Sequence, residues 1–136
     1  MNNLDLAKEE FSKDNYSFVL AGEGKLITSK EKGLKPIIDL IESEEDFSDF
    51  SICDKITGRA AAFLYVLLGI EKVHAKKMAK LAIQILDRAE IEYSYDELIE
   101  TVLDMDMKEI DKIELSVLRS GSAIQAIEDI KKALTE

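Results

Sequence analysis

The stretch from Phe50 to Ala75 constrains this chain more than any other. Ala60 to Gly69 is apolar in almost every direction when wound as a helix, and a helix of that kind must be packed on most sides by protein. Phe50-Ser51-Ile52-Cys53 before it and Ile70 to Ala75 after it read as strands. A buried helix between two strands is the signature of an α/β unit. The connecting residues Asp54-Lys55-Ile56-Thr57-Gly58-Arg59 then fall in a turn at a helix N-terminus, the place where α/β proteins tend to hold ligands.

The remaining segments extend this pattern. Leu4, Ala7 and Phe11 recur at helical spacing, and Tyr16 to Ala21 and Lys25 to Ser29 form a hairpin around Gly22-Glu23-Gly24. Leu34, Ile37, Ile38 and Ile41 mark a helix with Pro36 in its first turn. Met78, Leu81, Ala82, Ile85 and Leu86 give another helix, and Ile91 to Tyr95 alternates as a strand. A short helix is expected on Leu98, Ile99, Val102 and Leu103, a further one on Ile110, Ile113, Val117 and Leu118, and a last one from Ser122 to Leu134. The order predicts a three-layer α/β/α arrangement with a mixed sheet covered on both faces. Residues 1–136 read as a single domain, with 119–136 a C-terminal helical extension that docks on its own domain or on a second copy.

Charge narrows the partners. With 18 Lys and Arg against 28 Asp and Glu, the net charge of -10 argues against binding nucleic acid or anionic lipid, although one basic pocket remains compatible with it. The longest apolar run falls short of the roughly 20 residues that span a bilayer. The N-terminus lacks the basic start and apolar core of a signal peptide, so a soluble, cytoplasmic protein is expected.

The order of elements is also that of the cytidine-deaminase-like fold, and the chain resembles the family known as domain of unknown function 1893. The matching features are Tyr16-Ser17-Phe18-Val19-Leu20 with Gly24-Lys25, Gly33-Leu34-Lys35-Pro36, and Ile91-Glu92-Tyr93 followed by Asp96-Glu97-Leu98. The most specific is Asp54-Lys55-Ile56-Thr57-Gly58-Arg59-Ala60-Ala61-Ala62. The similarity runs from about Leu4 to Leu118 and leaves the last helix outside. It implies a deaminase-like fold without the zinc machinery and with no assigned biochemical role. Many members carry a Gly-rich turn leading to Cys-Pro-x-Glu. Here the corresponding residues are Asp111-Lys112-Ile113-Glu114, which keep only the Glu.

Zinc deamination needs His-x-Glu at one helix start and Pro-Cys-x-x-Cys at the next. Those places read Cys53-Asp54-Lys55 and Lys76-Lys77-Met78-Ala79-Lys80, and the chain has one His and one Cys, His74 and Cys53. No metal site and no cofactor are expected. Cys53 at a strand end is a candidate nucleophile or a buried small hydrophobe, and His74 a candidate base or else a satisfied or surface histidine. The acidic run Asp104-Met105-Asp106 lacks the Gly and Glu of a calcium loop and reads as a solvated turn.

Asp54, Lys55, Gly58 and Arg59 are therefore the candidate ligand site. Unpaired helix N–H groups would meet an anion, Gly58 would let it approach, and Lys55 and Arg59 would clamp it. Equally, Asp54 caps the helix, the two cations are solvated, and Gly58 permits close packing. One reading makes the protein a binder of a small anionic or nucleotide-like molecule. The other makes it a non-catalytic interaction module, with a homodimer through an apolar helix face.

Overall fold

The computed structural model describes residues 1–136. The chain begins with α1 (Asn3–Phe11), capped by the Asn2 side chain, which accepts the Asp5 N–H at 2.8 Å. A hairpin follows, β1 (Phe18–Gly22) and β2 (Lys25–Ser29). Its two-residue loop places both Glu23 and Gly24 at positive φ, 51° and 73°, the mirror-image turn whose twist matches that of the strands.

Next come α2 (Lys35–Glu42), with Pro36 in its first turn, and β3 (Ser51–Thr57). Helix α3 (Arg59–Leu68) is the buried helix expected from composition, with Ala60 through Tyr65 and Leu68 all buried. It ends at Gly69, which takes the left-handed conformation and lets the Ile70 N–H reach back to the Tyr65 carbonyl at 3.2 Å. The chain continues through β4 (Lys72–Ala79), α4 (Lys80–Arg88), β5 (Glu92–Ile99), the short α5 (Lys112–Ser116) and α6 (Ala123–Leu134), capped by Ser122.

The strands form one five-stranded mixed sheet in the order β2-β1-β3-β4-β5. β1 runs antiparallel to both neighbours, and β3, β4 and β5 are parallel. Two successive crossovers to adjacent strands in the same direction put their helices on one face, and α3 and α4 do pack together. With α2 and α6 they enclose the main core, into which the sheet sends Phe18, Leu20, Ile52 and Val73. The opposite face holds a smaller cluster of Val19, Ala21 and Cys53 under Ala7 of α1. That helix lies mainly over β1, β3 and β4, and most of edge strand β5 is exposed. No helix is long and apolar enough to cross a membrane.

The structure corrects three local expectations. The segment Asp54 to Thr57 is strand, not turn, because parallel pairing with β4 continues through Thr57↔Met78. Met78 and Ala79 therefore close β4 and do not open a helix. The short helix expected on Leu98, Ile99, Val102 and Leu103 is absent. Leu98 and Ile99 pair with Met78 and Ala79, and Leu103 makes an isolated bridge to Ile110. Adjacent apolar pairs fit either period, and a sheet edge with a ladder still to complete decides between them.

Candidate functional site

Strand alternation separates the four residues that the sequence groups together. Side chains at successive positions of β3 face opposite sides of the sheet. Cys53 and Lys55 face α1, whereas Ile52 and Asp54 face α3. Lys55 is exposed, and its Nζ reaches Asn15 Oδ1 at 3.3 Å. Asp54 is buried, and its Oδ2 accepts hydrogen bonds from Thr57 Oγ1 at 2.7 Å and from the Tyr65 hydroxyl. Burial raises the Asp54 carboxyl to about 6, and those hydrogen bonds only partly offset it. Burial, with Asp54 beside it, also holds the Tyr65 phenol well above its ordinary value.

The N-terminus of α3 is not capped by Asp54. Its cap residue is Gly58, which has no side chain to offer. The orphan N–H groups are met from far along the chain by Glu114 of α5, whose Oε2 accepts the Arg59 N–H at 3.0 Å and the Ala60 N–H at 3.4 Å. Asp111 in turn caps α5, accepting the N–H groups of Ile113 and Glu114 at 3.0 and 3.3 Å. Glu114 is buried, and burial pushes its carboxyl up to about 7 even though the helix N–H groups favour the charged form. A Cβ on Gly58 would fall onto the Glu114 carboxylate and against Val102 Cγ2. The group that needs glycine there is thus a side chain of the protein itself.

Arg59 turns away. Its Nε donates to the Val117 carbonyl at 3.0 Å and its guanidinium to the Ser120 carbonyl at 3.2 Å, with the cation over the Phe63 ring at 5.1 Å from the centroid. It straps α3 to the segment that follows α5.

Between β3, α3, the chain after the hairpin and the segment from Val102 to Glu114 lies a cavity of about 470 Å³. Asp54, Lys55 and Gly58 line it together with Tyr65 and Glu114, while Arg59 does not. Phe18, Ile37, Ala61 and Ile113 give it apolar walls, and Lys30 and Lys32 contribute cationic groups. Lys55 and Arg59 do not form a clamp. From the sequence Tyr65 is a candidate for stacking a base or a core aromatic, with nothing to join it to Asp54, and Glu114 carries no role beyond being the Glu retained from the family's Cys-Pro-x-Glu. No group of three or more His, Cys, Asp or Glu side chains is arranged to hold a metal ion.

Tyr65→Phe keeps the ring and deletes the hydroxyl that faces Asp54. Hydrogen bonds to charged groups contribute about 1.5–3 kcal/mol, so urea denaturation at neutral pH is expected to show a loss of about 2 kcal/mol with an unchanged slope. An unaltered midpoint would mean that this bond contributes nothing.

The comparisons agree with the resemblance and extend it. The family model described as Domain of unknown function (DUF1893) matches residues 6–134, and so takes in α6, which lies beyond the motifs that carry the resemblance. A crystal structure of a DUF1893 family protein from Thermotoga maritima, at 2.70 Å resolution, is 30% identical. The match covers 98% of this chain and 88% of that one, with a TM-score of 0.84. No curated protein matches. A family match over nearly the whole length, and a solved relative with the same fold at this identity, place the chain in the DUF1893 family.

Proposed function

We propose that this protein binds a small nucleotide-like or otherwise anionic molecule in the cavity between Asp54 and Glu114, on a cytidine-deaminase-like framework that works without zinc. The observation that carries this reading is the pair of buried carboxyls on one cavity, delivered from β3 and α5 and both held above the ordinary carboxylate range. Evolved sites accumulate perturbed acids of this kind because they can both accept and donate at neutral pH. A polar head would meet Asp54 and Glu114 across apolar walls, and an anionic tail would lie toward Lys30, Lys32 and Lys55. The sheet order β2-β1-β3-β4-β5, with β1 antiparallel, agrees with the deaminase-like part of the proposal.

The alternative, an interaction module pairing through its last helix, has less support. Ala126, Ile127, Ile130 and Ala133 bury the apolar stripe of α6 within the same chain, where α6 packs on α3.

The test is thermal unfolding against nucleosides, nucleotides, sugar phosphates and phosphate, for the wild type, Asp54→Asn and Glu114→Gln. A ligand at about 100 times its dissociation constant adds about 2.7 kcal/mol. A midpoint several degrees higher in the wild type, and much reduced in both variants, is expected for the right class. Shifts of equal size in all three proteins, or none across the panel, would overturn the proposal.

A further inference from the structure

The face of the sheet beneath α1 carries a second concavity, of about 400 Å³, on the opposite side from Asp54. Its floor is formed by Cys53 and His74, direct neighbours across β3 and β4, with Ser94 of β5 paired beside His74. Two residues further along, Lys55, Lys76 and Asp96 point the same way. Helix α1 supplies Lys8 at the wall.

Charge makes this surface unusual for an acidic chain. Acidic residues outnumber basic ones 28 to 18, yet Lys8, Lys55 and Lys76 take part in none of the protein's ion pairs. Of the two carboxylates that line the concavity only Asp96 lacks a cationic partner, so the three ammonium groups outnumber it. Asp14 is held by Lys30 at 2.7 Å, and Asp96 faces His74 Nε2 at 3.2 Å. The other ring nitrogen, Nδ1, meets Ser94 Oγ at 2.7 Å, so His74 is fixed in place. Burial, and Lys8 nearby, hold its pKa below the usual value, which leaves the ring neutral at pH 7 and available as a polar floor. Burial pushes the Cys53 thiol up to about 12, which disfavours the thiolate.

We infer that this concavity is a binding site for a small molecule bearing a phosphate or carboxylate group, with Lys8, Lys55 and Lys76 neutralising the anion above His74. Three ammonium groups without carboxylate partners, grouped on one concave surface, form a local positive field against the sign of the whole molecule. The volume suits a metabolite and not a polymer. The site adjoins the cavity at Asp54 and Glu114 but opens on the other face of the sheet. The two share Lys55 and Asn15, whereas Lys8 and Lys76 line only this one.

The chain has a single histidine, so the imidazole signals of His74 in proton NMR report on the floor of this site without ambiguity. The full chain is titrated at constant pH and low salt with inorganic phosphate, glycerol 3-phosphate and acetate. Saturable shifts of the His74 signals are expected with at least one of them. Dissociation constants should be about tenfold weaker in Lys8→Ala and in Lys76→Ala, and unchanged in Lys25→Ala, an exposed lysine that lines neither concavity. Tighter binding of glycerol 3-phosphate than of phosphate would assign an organic phosphate, and preference for acetate a carboxylate. Linear, non-saturating shifts with all three anions, or affinities unaltered by both lysine substitutions, would overturn the inference. A null result in the Asp54 cavity leaves this test untouched, because its readout and the substituted Lys8 and Lys76 lie on the other face.

Discussion

Gly58→Ala is expected to destabilise the protein by about 3 kcal/mol, although the backbone at this position is one that any residue adopts. Gly58 has φ -97° and ψ -173°, so no conformational penalty attaches to an added side chain. The cost is steric. The new methyl would occupy the space of the Glu114 carboxylate and press on Val102 Cγ2. Glu114 would have to withdraw, which strips the Arg59 and Ala60 N–H groups of their acceptor at the start of a buried helix. Charge-assisted hydrogen bonds of this kind contribute about 1.5–3 kcal/mol each. A double-mutant cycle separates this cause from general crowding. In a Glu114→Ala background the obstruction is gone, and the cost of Gly58→Ala should fall to about 1 kcal/mol or less, the remainder arising from Val102. Chemical denaturation of the four proteins measures it. Equal costs in both backgrounds would mean that Glu114 is not what fills the space at Gly58.

The same contact shows how far the sequence could be read. The buried helix at Ala60 to Leu68, the hairpin and the capped last helix were legible because composition or local turn chemistry decides each of them. Asp54 and Lys55 do line one cavity, but their side chains leave the strand on opposite faces, and only Asp54 is buried. Without a pairing register, nothing shows that the strand continues to Thr57 and sends the two side chains to opposite faces. Gly58 and Glu114 lie 56 residues apart, and no local pattern links a glycine before a helix to a carboxylate in a later one. The row Cys53, His74, Ser94 was hidden for the same reason, since each member belongs to a different strand. Long-range register was the missing information in every case. The family resemblance supplied one piece of it, by singling out Glu114 as the retained residue.

Raising the pH from about 5 to about 8 is expected to destabilise the protein by a few kcal/mol, with Glu114 and Asp54 as the cause. The sign follows from the direction in which burial moves them. Glu114 ionises near 7 in the folded protein against an ordinary 4.5, and Asp54 near 6 against 3.8. Between those limits the folded chain holds protons that the unfolded chain has released, so stability falls as pH rises. The favourable contribution is complete below the ordinary values and lost once pH passes through about 6 and then about 7. A tenfold change in proton affinity between the folded and unfolded chain corresponds to about 1.4 kcal/mol, which sets upper bounds of about 3 kcal/mol for Asp54 and about 3.5 kcal/mol for Glu114. His74 works in the opposite sense. Its depressed value makes acidification below about 6.5 costly, and it softens the slope at the acid end. Asp14, Asp46 and Asp129 are held low by hydrogen bonds and act only in stronger acid. Glu114→Gln should therefore keep its stability between pH 6 and 8 far better than the wild type. Urea denaturation across this range at constant ionic strength provides the comparison, and parallel curves for the two proteins would remove Glu114 as the cause. The stability given up at neutral pH is the cost of keeping two carboxyls out of water beside one cavity. A ligand that donates hydrogen bonds to them would recover part of it, so binding to this cavity should stabilise the protein more at pH 8 than at pH 5.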